Sequence, residues 1–167
     1  MRVYVGTTLA ALRTLRDSGF PPPVPARAVT PALREWYVQG DLDELEYAAS
    51  ADAAHDSLRA LVAAGGSPAR RVVVAADVPD ALVHHEVFAP DDSRRSVVRL
   101  TEPLLLDQVV SIHVDDDRAL TDVTAAAAAL PAADAGDEDA QFTVDGADGH
   151  ELAWYDVTEL DDVLGLG

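Results

Sequence analysis

Two stretches of this 167-residue chain set ionisable side chains close enough to act together: His113 with Asp115, Asp116 and Asp117, and His84-His85-Glu86. Carboxylates at the C-terminal edge of a strand suit Mg²⁺ or Mn²⁺ in phosphoryl-transfer and hydrolytic chemistry. On that ground His113, Asp115 and Asp117 are the catalytic candidates. The competing account is a helix start, where acids accept from free backbone N–H groups and face the positive end of the dipole. No glycine-rich phosphate loop and no second spaced acidic motif accompanies the triplet. In the second stretch, neighbouring strand residues point to opposite faces, so only His84 and Glu86 act together. A metal site there needs a further ligand, with His113 from a neighbouring strand the candidate. Unpaired histidines are otherwise surface or hydrogen-bonded residues. Serine chemistry lacks its Gly-x-Ser-x-Gly elbow, since Ser18-Gly19 and Gly66-Ser67 read as turns. Absence of cysteine removes thiol nucleophiles, thiolate zinc sites and disulfides. The sequence implies no cofactor.

Trp, Tyr and Arg are the residue types that dominate binding hot spots. Arg34-Glu35-Trp36-Tyr37 and Trp154-Tyr155 concentrate them. Arg34, Tyr37 and Tyr155 are therefore the candidates for contact with a partner, while Trp36 and Trp154 are expected to anchor the core. Arg70-Arg71 and the trio Arg94, Arg95 and Arg99 are the basic concentrations. They suit a phosphate or carboxylate ligand, or more simply pairing with acids elsewhere in the chain.

Thirty acids oppose twelve basic residues, all of them arginine, for a formal charge of −18. Such a balance argues against nucleic acid and against anionic membrane surfaces, both of which attract basic stripes. A hydrophobic fraction of 49% excludes a wholly disordered chain. The charge is unevenly placed: residues 1–100 carry 11 arginines against 13 acids, and residues 101–167 carry one arginine against 17 acids. No leader-like apolar run follows the first residues, and the longest apolar runs fall far short of the ~20 residues that span a bilayer. The expected location is cytoplasmic.

Positioning these side chains requires the following elements. Residues 2–6 alternate as a strand, and Thr7 or Thr8 caps a helix carrying Leu9, Leu12 and Leu15 to Gly19. The proline-rich stretch 20–25 reads as a stiff surface loop. Thr30-Pro31 starts a short helix to about Gln39. From Asp41 or Asp43 to Gly65 runs the longest helical pattern, with Leu42, Leu45, Ala49, Leu58, Leu61 and Val62 on one stripe. Strands are predicted at 70–78, 82–88, 96–100, 109–114 and 151–157. A helix over 118–129 is broken by Pro131, residues 132–140 form an acidic mobile loop, and residues 158–164 form a short helix. The result is a single α+β domain over 1–167, with a mixed sheet of about five strands and helices packed mainly on one face.

Several stretches together resemble a family of uncharacterised proteins from high-GC actinobacteria. They are MRVYV at 1–5, AVTPALREWY at 28–37, ELEYAA at 44–49, RRVVVAADVP at 70–79, VSIHVD at 110–115, DEDAQF at 137–142 and HELAWY at 150–155. The resemblance is collinear over nearly the whole chain. It implies a single domain of unknown function and brings no activity with it.

The reading favoured by these residues is a non-enzymatic cytoplasmic protein acting through a protein partner with a basic surface, drawn by the acidic C-terminal region. The alternative is a metal-assisted hydrolase built on the His/Asp cluster at the strand end. A third reading makes the acidity halophilic solvation. Oligomeric state is not legible.

Overall fold

Valine-rich segments of the chain meet edge to edge in one antiparallel sheet. The computed structural model describes residues 1–37, 40–65, 69–85 and 94–167. Among them are seven strands: β1 (Arg2–Thr7), β2 (Val24–Ala28), β3 (Val72–Asp77), β4 (Val83–His85), β5 (Val97–Leu100), β6 (Val109–Val114) and β7 (Ala153–Asp156). Their order is β4-β5-β2-β1-β3-β6-β7, and every pairing is antiparallel. The α+β class holds, with seven strands in place of about five and no parallel pair.

Alternation along the strands divides the core in two. Val3, Val5, Val72, Val74, Ile112 and Val114 face α1 (Leu9–Ser18) and α6 (Leu160–Leu164). Tyr4, Val73 and Ala75 face the opposite way, toward α2 (Pro31–Trp36) and α3 (Leu42–Ala64). Beyond α3, α4 (Leu120–Asp134) and α5 (Glu138–Asp145) bury Leu58, Leu61, Val123, Leu130 and Val144 in a second helical layer. Most of the helical mass thus lies on one face.

Helix α3 is bounded by local chemistry. Asp41 accepts from the Glu44 N–H at 2.9 Å, and the Glu44 carboxylate accepts from the Asp41 N–H at 3.1 Å. At the far end Gly65 takes the left-handed conformation at φ 60°. Between these ends α3 rests directly on β1. A Cβ at Gly6 would lie 2.1 Å from the Ala53 carbonyl oxygen, so only glycine permits this approach. Ser57 fastens the contact. Its hydroxyl donates to the Thr7 carbonyl at 2.6 Å and accepts from the Val72 N–H at 2.7 Å.

Three expectations change. Val24 and Pro25 belong to an interior strand, not to a loop confined to the surface. Ala28 donates its N–H to Ser96 on the β5 side. By alternation the nitrogen of Pro25 points toward β1, whose pairing with β2 involves only Ala28 and Arg27, so the missing donor breaks no bond. Pro131 lies inside α4 on its exposed side. Burial of Leu130 and Ala133 holds the last turn together around it. Residues 132–140 are largely helical: 132–134 close α4, and Asp137 caps α5 by accepting from the Ala140 N–H at 2.9 Å. Burial of Ala133, Val144 and Ala147 is what orders this acidic stretch.

Candidate functional site

The acidic triplet divides its labour. Arg71 immediately precedes β3 and Asp115 immediately follows β6, so the pairing of those strands sets them side by side. Asp115 Oδ2 accepts from the Arg71 backbone N–H at 2.7 Å and from Nε at 3.0 Å, while Oδ1 accepts from Nη2 at 2.8 Å. Both side chains are almost wholly buried. Arg71 Nη2 also donates to the His150 carbonyl at 2.9 Å. Asp116 Oδ1 accepts the N–H groups of Arg118 and Ala119, closing the turn that leads into α4, whose N-cap Ala119 brings no side-chain cap of its own. Asp117 pairs with Arg70. A metal at the triplet would have to displace Arg71 from Asp115 and leave a buried guanidinium uncompensated.

His84 and His113 do not share a site. Their strands, β4 and β6, are first and sixth in the sheet, with four strands between them. At the usual strand spacing that is roughly 24 Å, far beyond the reach of one ion. Glu86 lies outside the described residues. Among the described residues there is no group of three or more His, Asp or Glu placed to hold a metal ion.

His113 instead forms the floor of a cavity of about 690 Å³ between the first half of α3 and the β1-β3-β6-β7 part of the sheet. Its Nε2 lies 3.0 Å from Ser111 Oγ, and burial lowers its pKa, favouring the neutral ring. Tyr4 donates to Glu46 at 3.2 Å across the same cavity. Burial, reinforced by the Glu46 carboxylate, holds the Tyr4 phenol above its ordinary value. The segment 146–152 closes one end. It is tied to α3 by His55 and Asp148 at 3.1 Å and to α4 by His150 and Asp122 at 2.6 Å. The hydrogen bond to Asp148 raises the His55 pKa, and the same bond lowers that of Asp148. Tyr4, Glu46, Tyr47 and Ser111 lie in stretches that carry the family resemblance but form no chemical motif there. They converge only because strand register and the α3 contact at Gly6 bring them together.

The aromatic residues are arranged differently from expectation. Trp36 is 57% exposed and Trp154 is 60% exposed, so neither anchors the core. Trp36 ends α2, at a corner beyond the reach of the sheet's apolar face, and the Arg95 guanidinium stacks on its ring at 3.7 Å from the centroid. Trp154 sits on the α3 side of β7, beyond the strands that α3 covers. Arg34 and Tyr37 are exposed on α2 and just after it. Tyr155 is half-buried on the opposite face, against the α1–α6 core, and does not join them. Trp36, Tyr37, Tyr47 and Arg95 instead line an open groove at the α2–α3 corner, together with the carboxylates of Asp43, Glu44 and Asp52. Tyr47, 64% exposed, belongs to the rim of both this groove and the cavity.

No helix among the described residues is long and apolar enough to cross a membrane. No curated protein and no solved structure matches the chain. The model of DUF6912, a family of unknown function, matches residues 1–164, and the chain belongs to that family.

Proposed function

We propose that this member of the family acts by binding a protein partner that presents a basic segment, with the α2–α3 corner as its docking surface. The observation that carries the reading is the exposure of Trp36, Tyr37 and Tyr47 side by side along one groove. Large rings cost free energy when left in water, and together with arginine they are the residues from which interface hot spots are built. Asp43 and Glu44 supply complementary charge at the groove, where Asp52 is already engaged by Ser96 and faces Arg27, and the net −18 of the chain extends the attraction over longer range. The metal-assisted alternative is disfavoured by the engagement of both Asp115 oxygens with Arg71.

The test is capture by the immobilised protein in parallel with its Trp36→Ala and Tyr47→Ala variants. Both rings are exposed, so the variants are expected to keep the parent's melting temperature. A specific partner should be held at low salt, released at high salt, and lost by at least one variant. Capture that neither substitution diminishes, or no capture at low salt, would remove the corner as the docking surface.

A further inference from the structure

We infer that the cavity between the first half of α3 and the β1-β3-β6-β7 part of the sheet binds a small organic cation carrying an ammonium or guanidinium group. The space exists because Ala51, Ala54, Ala75 and Ser111 present short side chains where the helix and the sheet face each other. Its charge selects the ligand. Two arginines line it, and each already faces a carboxylate. Arg2 grips Asp77 through two hydrogen bonds of 2.7 and 2.9 Å, and Arg71 is held by buried Asp115. Neither guanidinium is left to attract an anion. Glu46, Asp148 and Glu151 add carboxylates to the same lining. Asp148 is paired with His55. Glu46 accepts a hydrogen bond from a neutral hydroxyl, that of Tyr4, and the Arg2 guanidinium that also acts on it spends its two hydrogen bonds on Asp77, so its charge is only partly offset.

The uncharged groups fit the same ligand. Ser111 and His113 offer hydrogen-bonding capacity on the floor, and the neutral imidazole does not compete with a bound cation. Exposed Tyr47 and Trp154 stand at the rim, where ring faces attract cations electrostatically. The α2–α3 corner is a separate groove that has Trp36, Tyr37 and Arg95 where the cavity has Ser111, His113 and Trp154, so this ligand is distinct from the partner proposed there.

An ammonium or guanidinium group can belong to a free metabolite or to a lysine or arginine side chain of another protein, and the proposal commits to the free compound. Titration calorimetry with agmatine, with neutral N-butylacetamide and with the peptide acetyl-Gly-Arg-Gly-amide separates the cases. Agmatine should bind and the neutral compound should not. Glu46→Gln and Trp154→Ala should each weaken agmatine about tenfold. Glu46→Gln keeps a carbonyl acceptor for the Tyr4 hydroxyl, and exposed Trp154 gives a second variant that does not depend on that contact. Trp36→Ala should leave agmatine binding unchanged. No heat with agmatine at about 1 mM overturns the proposal, as does unaltered affinity in both cavity variants or binding of the peptide alone.

Discussion

Arg71, which lines the cavity, is held by Asp115 in a buried ion pair. Their charges are almost wholly buried, and a pair of that kind is strongly destabilised when only one partner is removed. Asp115→Ala leaves a guanidinium in a low-dielectric site, and Arg71→Ala leaves a carboxylate there. Each should cost roughly 3–5 kcal/mol in urea unfolding. Replacing both with apolar residues of similar volume, Arg71→Met with Asp115→Leu, should recover most of that loss. If the double variant is as unstable as the singles, the backbone N–H of Arg71, which also donates to Asp115, is the contact that matters. The acids at 115–117 were visible in the sequence as a group that had to do something. That Arg71 would consume Asp115 was not, because the two lie 44 positions apart and meet only through the β3–β6 register. The same limit applies to Trp36 and Trp154. Residue type favoured burial, while position in the fold, at a corner and on a terminal strand, leaves both rings in water.

At the scale of elements, structure fixed by local chemistry was legible and structure fixed by neighbours was not. The bounds of strand β6 (Val109–Val114) and of α3 follow from the apolar pattern, from the acids at the helix start and from Gly65 at its end, although Val110, Leu42 and Val62 are exposed where the pattern places them with the core. Strand β2 was missed because proline argues against interior strands unless its nitrogen faces an unpaired stretch, and only the pairing with β1 reveals that. The stretch 132–140 was missed because its composition says nothing of Ala133 and Val144 being buried against α3 and α4. The contact most responsible for the cavity is that of α3 on β1. Gly6→Ala places a methyl group against the backbone of Ala53 and Ser57 rather than against a flexible side chain. Helix and sheet must then separate, which also strains the Ser57 hydroxyl bridge to Thr7 and Val72. A loss of about 3 kcal/mol or more is expected, the upper end for overpacking, read as a lower urea midpoint with unchanged slope. A loss below about 1 kcal/mol would mean that α3 shifts easily and that the cavity's shape is not fixed by Gly6.

For the molecule as a whole, the uneven charge along the chain does not survive folding as two separate regions. Arginines of the first hundred residues reach acids of the last third in Arg16–Asp161, Arg59–Asp134, Arg70–Asp117 and Arg71–Asp115. These pairs tie the nearly neutral part to the acidic part, and over the whole chain thirty acids still outnumber twelve arginines. Two effects of salt then compete. Screening weakens exposed pairs such as Arg16–Asp161 and Arg59–Asp134, which water and the mobility of long side chains already make weak. It also weakens repulsion among the surplus carboxylates, which opposes the compact state. Arg71–Asp115, being buried, is little affected. With thirty acids against twelve arginines, the repulsive sum is the larger. The melting temperature at pH 7 should therefore rise by about 2–5 °C between 20 mM and 0.5 M NaCl. Chloride is the proper anion for this measurement, since sulfate strengthens apolar burial whatever the charge. A fall would mean that the exposed pairs outweigh the repulsion. Unfolding in the dilute buffer would instead assign the acidity to halophilic solvation, and the charge would then no longer argue for a basic partner.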